Sequence, residues 1–290
     1  VKKILVTLLV NLTGALPLSI ARALGRTIAC LLTLSKSDIY RLSRINIALT
    51  HPQLSDSELH KISKNSVAST IINALEMPAV WQHKNNWVTE KTQAIEGEAC
   101  LTSAIADKKG VIVIIPHIGN WEVLGRHLPA YAATTSLYQP PKITELENVV
   151  RKGRERSGAN LVPTNQRGVA ALLKALRRGE VTAILPDQVP QKNSGIFAPF
   201  YGVPAYTMTL INSLIQKTGC RAVLGYALRV PGGFKVVYRE ALEDIYSADQ
   251  DVSIIAINRM VEMAINDEIA QYQWAYKRFK VQPAGVAKPY

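Results

Sequence analysis

Cysteine is scarce: Cys30, Cys100 and Cys220 are far apart and odd in number among 290 residues. Neither a disulfide framework nor a thiolate zinc site follows, no metal is expected, and a reducing compartment is the simpler setting. No G-x-S-x-G elbow occurs, and the nearest imitation, Arg154-Glu-Arg-Ser157-Gly158, stands in the wrong context. Internal repeats, low-complexity tracts and long linkers are absent as well. Acidic residues are in deficit, 22 against 34 Lys and Arg, a net charge of +12. That excess suits an anionic partner: a phospholipid surface, a phosphorylated glycolipid, an acidic carrier protein or nucleic acid. The length allows one large α/β domain or two smaller ones.

Long hydrophobic runs are also missing. Ile4 to Val10 is apolar, but Asn11, Thr13, Gly14 and Pro17 interrupt it. The piece before Pro17 would be ~20 Å long as a helix, short of the roughly 30 Å hydrocarbon core. Leu18 to Leu34 carries Arg22 and Arg26 four residues apart among Ile20, Leu24, Ile28, Leu31 and Leu32. The spacing predicts an amphipathic helix in the membrane interface with both arginines toward headgroups. A cleaved signal peptide is the competing reading, although no small-residue cleavage site follows. Residues 1–35 are therefore expected to attach the chain to a membrane, peripherally or by a single span, and residues 36–290 to form the α/β domain.

The chain is organised around Val111-Ile-Val-Ile-Ile-Pro-His117-Ile-Gly-Asn-Trp-Glu122. The β-branched run predicts a strand buried on both faces, ended by Pro116. Asn120 is placed to cap a helix beginning at Trp121. His117 thus falls where a buried strand gives way to a helix, the edge at which open α/β sheets hold ligands. Glu122, in the first turn, is expected to fold back onto the imidazole as its orienting acid, and Gly119 to let a substrate approach the backbone. Imidazole, with an ordinary pKa of about 6.5, is the usual general base at neutral pH. With no nucleophile beside the pair, the hydroxyl to be activated is expected to belong to the substrate. The bland alternatives are a satisfied histidine and a glutamate that answers only the helix dipole.

Ser55-Asp-Ser-Glu58 has the form of a capping box. Strands are expected at 135–138, 160–163, 181–185, 222–229 and 234–239. Helices are expected at 143–156, 169–176, 208–216 and 254–269. That alternation predicts a central mixed, mostly parallel sheet flanked by helices. Three further polar clusters accompany it. Arg151 and Arg154 share a helix face suited to a phosphate or a developing oxyanion. Asp187-Gln188 follows Leu185-Pro186 at the end of a buried strand, where the carboxylate could order an arginine or hold a polar headgroup. Tyr272 to Lys280 interleaves aromatic and basic residues, Arg278 among them, as an interfacial lipid surface or a nucleic-acid surface does. The first two have plain readings too: a solvated basic face, and turn chemistry at Asp187.

His117-Ile-Gly-Asn-Trp-Glu122 resembles the H-x4-D/E signature of glycerolipid-type acyltransferases. The fuller set is similar to one branch, the late (secondary) acyltransferases of lipid A biosynthesis in Gram-negative bacteria. That set comprises Asn46-Ile-Ala-Leu before His51-Pro-Gln-Leu-Ser, Leu173 to Glu180, Leu185-Pro-Asp-Gln188, Phe197 to Gly202 and Gln271 to Lys280. The resemblance implies a glycerolipid-acyltransferase-like fold at the cytoplasmic face of the inner membrane. It implies transfer of a fatty acyl chain (laurate or myristate type) from acyl carrier protein or coenzyme A, as donor substrate rather than cofactor. The acceptor would be the hydroxyl of a 3-hydroxyacyl chain on a phosphorylated lipid A precursor. His117 would be the base and Glu122 its partner. Arg154 would bind phosphate or oxyanion, and Asp187 would support. Alternative acceptors are a glycerophospholipid, a phosphatidylinositol mannoside or an ornithine lipid. A non-enzymatic basic module binding membrane or nucleic acid is the remaining alternative, and no nucleic acid is expected with the acyltransferase.

Overall fold

The computed structural model describes residues 2–141 and 143–290. Helices open the chain: α1 (Lys2–Ala15), α2 (Leu18–Leu34), α3 (Asp38–Thr50), α4 (Asp56–Gln82) and α5 (Asn85–Lys91). Strands and helices then alternate: β1 (Thr92–Glu96), α6 (Glu98–Ala106), β2 (Val111–Ile114), α7 (Trp121–His127) and β3 (Thr134–Tyr138). Next come α8 (Glu147–Glu155), β4 (Asn160–Pro163), α9 (Gln166–Arg177) and β5 (Val181–Ile184). A hairpin of β6 (Gly195–Phe200) and β7 (Val203–Met208) follows. The chain continues through α10 (Leu210–Thr218), β8 (Arg221–Val230), β9 (Gly233–Glu240) and α11 (Gln250–Asp267). The strands, helices and capping box expected from the sequence are present within a few residues, including the reciprocal Ser55–Glu58 bonds opening α4. Strand β1, helices α5 and α6 and the β6–β7 hairpin lie outside the elements expected from the sequence. Strand β1 is mostly exposed and polar, so no burial pattern announces it.

Seven strands form one sheet in the order β1-β9-β8-β2-β5-β3-β4. All neighbours run parallel except β8 and β9, a hairpin. The Val-Ile-Val-Ile run of β2 shows why the strand is apolar on both sides. Ile112 and Ile114 enter one core with residues of α9, α10 and α11, such as Leu176, Leu214 and Ile257. Val111, Val113 and Ile115 enter the opposite core with Leu18, Val80, Leu101 and Leu124. Successive side chains point to opposite faces, and both faces are covered by helices.

Helix α2 departs from the amphipathic helix expected. Its inward stripe is Ala21, Gly25 and Ala29, spaced four apart and buried. A Cβ on Gly25 would stand 2.6 Å from Ile72 of α4, so small residues permit the close approach of the two backbones. The large residues Ile20, Leu24, Leu31 and Leu34 face outward. Arg22 turns inward, against the expectation: its Nε donates to the fully buried Glu76 carboxylate at 2.6 Å. Arg26 is exposed. Among the described residues no single helix is long and apolar enough to cross a membrane.

Candidate active site

Strands β2 and β5 are parallel neighbours in the register Val111↔Val181 through Ile114↔Ile184. Each leaves the sheet through an apolar residue and a proline, Ile115-Pro116 and Leu185-Pro186. Proline cannot extend the ladder. The residues next in register, His117 and Asp187, are thus set side by side at the carboxyl edge of the parallel strands. The Asp187 carboxylate accepts the His117 backbone N–H at 2.8 Å and bonds ring Nδ1 at 2.8 Å. Burial pushes the Asp187 carboxyl up, but the charge and hydrogen bonds of His117, with Arg278 behind, outweigh it and hold the group below the usual carboxylate range. It is an anion that accepts a proton-bearing Nδ1, which leaves Nε2 as the ring's acceptor nitrogen. The Gln188 amide nitrogen donates to that Nε2 at 3.2 Å and reaches Gln273 Oε1 at 3.5 Å. The Trp121 ring meets the imidazole edge-on, centroids 4.7 Å apart.

Glu122 does not hold the imidazole as expected. Its carboxylate grips Arg154 instead, Oε2 to Nε at 3.0 Å and Oε1 to Nη2 at 2.5 Å. The reason is placement: Glu122 lies in the first turn of α7 facing α8, whose Arg154 supplies a planar fork matched to a carboxylate. Burial pushes the Glu122 carboxyl up, while Arg154 and, more weakly, His117 pull it below its ordinary value. Tyr138, closing β3, is a platform under both arginines, with Arg154 5.6 Å and Arg151 4.7 Å from its ring centre. Arg151 itself pairs with Glu147 and Glu155 on a half-exposed surface.

The loop that carries His117 is pinned from behind. Gln273 donates its backbone N–H to the His117 carbonyl at 3.0 Å, and Gly119 donates to Gln271 at 3.0 Å. Gly119 has φ +59°, and a Cβ there would lie 1.9 Å from the Ala227 carbonyl oxygen. The close approach that requires glycine is to β8 rather than to substrate. Asn120, fully buried, is no side-chain cap: its backbone N–H donates to Ala227 at 2.8 Å and its amide nitrogen to Glu76 at 3.4 Å. Its side chain props the loop from beneath. Arg229 of β8 completes the support, donating to Gly119 O at 2.9 Å and to Glu76 at 2.7 Å.

Of the expected site residues, the structure brings together His117, Asp187, Gln188, Glu122 and Arg154, with Arg151 at the rim. Arg278 is not a surface contact. Its guanidinium is buried against Tyr206 O, Thr207 and Asn258. Tyr272, Trp274 and Phe279 are likewise core, so these aromatics form no interfacial surface, and of the basic residues in the run only Lys277 and Lys280 are exposed. Long-range contacts bury it, and no local pattern distinguishes that outcome. Glu76 and Arg229 carried no sequence signal beyond a charge within an apolar run. The role of Asp187 did carry one: two buried strands that end alike, one in Pro-His and the other in Pro-Asp.

The family model described as bacterial lipid A biosynthesis acyltransferase matches residues 2–281. The chain is 25% identical over 252 residues to the lipid A biosynthesis palmitoleoyltransferase of Escherichia coli, covering 86% of this chain and 81% of that one. It is 24% identical over 248 residues to the lauroyltransferase of the same organism, covering 84% and 80%. A lipid A biosynthesis acyltransferase of Haemophilus influenzae is 25% identical over 274 residues, covering 92% and 86%. A match along nearly the whole chain, laid over a histidine oriented by a buried acid at the carboxyl edge of a parallel sheet, makes this protein an acyltransferase of the bacterial lipid A biosynthesis family.

Proposed function

We propose that this enzyme transfers a fatty acyl group from a thioester, acyl carrier protein or coenzyme A, to a hydroxyl of a lipid A precursor at the cytoplasmic face of the inner membrane. The observation that carries the reading is the His117–Asp187 pair, which leaves Nε2 as the one ring nitrogen able to accept a proton. The acceptor hydroxyl displaces the Gln188 amide and donates to Nε2. The proton moves to the imidazole as the oxygen attacks the thioester carbonyl. The carbon–sulfur bond then breaks, and the imidazolium returns the proton to the departing thiolate. No acyl-enzyme is required.

Asp187 holds the tautomer and balances the imidazolium charge. Arg154 uses two of a guanidinium's five N–H groups on Glu122, and the remaining three serve the oxyanion of the tetrahedral intermediate. Glu122 fixes that guanidinium and adds negative potential at His117. This is a different part from the direct orienting bond the sequence suggested.

Helices α1 and α2 supply the membrane attachment in this reading. Leu8, Leu9, Leu12, Ile20, Leu24, Leu31 and Leu34 are 42–75% exposed. Half-burial in lipid contributes roughly 1 kcal/mol per such side chain. The test incubates the purified enzyme with acyl-carrier thioester and labelled lipid A precursor. Transfer is expected for the wild type and loss of about 10³-fold or more for His117→Ala, in the range of a general base acting with its charge partner. Near-normal transfer by His117→Ala refutes the mechanism.

A further inference from the structure

The Arg154 guanidinium is already bound to Glu122 beside the reacting groups, which leaves the acceptor's anionic portion to be held elsewhere. Between α2, α4 and the β8–β9 turn lies a cavity of about 930 Å³. Arg22, Arg26, Lys91 and Arg229 line it, and among the described residues no carboxylate does, Glu76 being bound to Arg22 and Arg229 behind the wall. Arg22 donates to Glu76, Val230 O and Gly233 O, three of a guanidinium's five N–H groups, and so keeps two. Arg229 donates to Glu76, Ser69, Gln271 and Gly119, four of five, and keeps one. Arg26 and Lys91 pair with none of the described residues.

The rest of the wall is apolar in part, with Leu16, Leu18, Ile72 and Trp87. The corner from Ala15 to Ser19 that forms one rim joins the two helices bearing the outward leucines. The cavity shares Ser69, Arg229 and Gln271 with a gap of about 20 Å³, room for about one water, whose far wall is Gly119, Trp121 and Gln273, the backing of the His117 loop.

We propose that this cavity binds the phosphate-bearing headgroup of the lipid acceptor, behind the loop that carries His117. The assignment rests on the acyl-transfer reading above for the identity of the ligand as acceptor. Cationic walls without a carboxylate attract a phosphate, and the mixed lining suits an amphiphile entering from the membrane side. A carrier protein's own phosphate group is the rival source, and it would arrive from solution rather than past α1 and α2.

The test uses the full chain with Arg26 and Lys91 both changed to glutamine. Neither side chain makes a hydrogen bond or ion pair with a described residue, so the fold is expected to be retained, which circular dichroism checks. Lys174→Gln with Arg177→Gln, at exposed positions of α9 across the sheet, gives the same charge change elsewhere. Wild type is expected to co-sediment with phosphatidylcholine vesicles carrying phosphorylated lipid A precursor in preference to vesicles carrying its dephosphorylated form. The Arg26/Lys91 variant should reduce that preference about tenfold, as two partly exposed contacts allow, while the α9 variant keeps it. In the transfer assay, the KM for phosphorylated acceptor should rise about tenfold, with kcat and the KM for donor unchanged. No preference in the wild type, equal loss in both variants, or a rise in donor KM instead overturns the assignment. A preserved binding preference without any acyl transfer upholds the cavity while refuting the transfer reading.

Discussion

Replacing Asp187 by asparagine separates the roles of the two acids around His117. The change is nearly isosteric at a side chain only 2% exposed, and it removes one charge. If the amide oxygen keeps the bond to the His117 backbone N–H, the amide NH2 faces Nδ1. Nδ1 must then accept, so the proton sits on Nε2 and the base is in the wrong tautomer. The imidazolium also loses an anion about 4 Å from its charge centre, worth about 4 kcal/mol at an effective dielectric near 20. At about 1.4 kcal/mol per decade, that alone is about 10³-fold in kcat, and the tautomer adds to it. The assay is steady-state transfer from acyl-carrier thioester to the lipid acceptor, with circular dichroism confirming the fold. Glu122→Gln is the contrast. It leaves Nδ1 bonded to Asp187 and only loosens Arg154, so a loss of about 10²-fold is expected, in the range for one oxyanion contact. An Asp187→Asn enzyme within tenfold of wild type, beside an inactive Glu122→Gln, would overturn this assignment and restore Glu122 as the orienting acid.

The same carboxylates carry a pH signature. Both have folded pKa values held below their ordinary ones, Asp187 by His117 and Glu122 by Arg154, in each case against burial. Their contribution to stability is complete above the unfolded carboxylate value of about 4 and is lost as pH falls through the lower folded values. Urea unfolding between pH 7 and 3 should show that acid limb, flattened in Asp187→Asn; an unchanged limb would remove Asp187 as its source. Gly119→Ala puts a Cβ into the Ala227 carbonyl at a positive φ. Activity should fall more than tenfold with a melting temperature several degrees lower, and wild-type behaviour would show that the loop has room. Glu76→Gln leaves Arg22 and Arg229 as buried cations facing a neutral amide, expected to cost about 3–5 kcal/mol in denaturant unfolding. A loss under 1 kcal/mol would mean that the network is not structural. Leu24→Glu with Leu31→Glu should abolish vesicle binding without lowering the melting temperature, since both side chains face outward. Retained binding would move the membrane contact elsewhere.

Helices and strands were legible wherever burial imposes a period. The β2 run, the proline ends of β2 and β5, the capping box and the outward leucines are all local patterns. The inward turn of Arg22 was not legible, because an arginine on an apolar helix pairs with whatever the neighbouring helix offers, here Glu76. The burial of Arg278 was hidden because its partners, Tyr206 O, Thr207 and Asn258, are distant in the chain. The sequence by itself determined that a histidine would stand at the carboxyl end of a buried strand in an α/β sheet, since β-branched residues, a proline and a helix start dictate it within a dozen positions. Which acid would hold that histidine was decided by the tertiary structure alone. Glu122 is five residues away along the chain and turns toward Arg154, while Asp187 is seventy residues away and adjacent in space. Strand β5 enters the sheet between β2 and β3, and hydrogen-bond register, not chain proximity, sets what touches the imidazole.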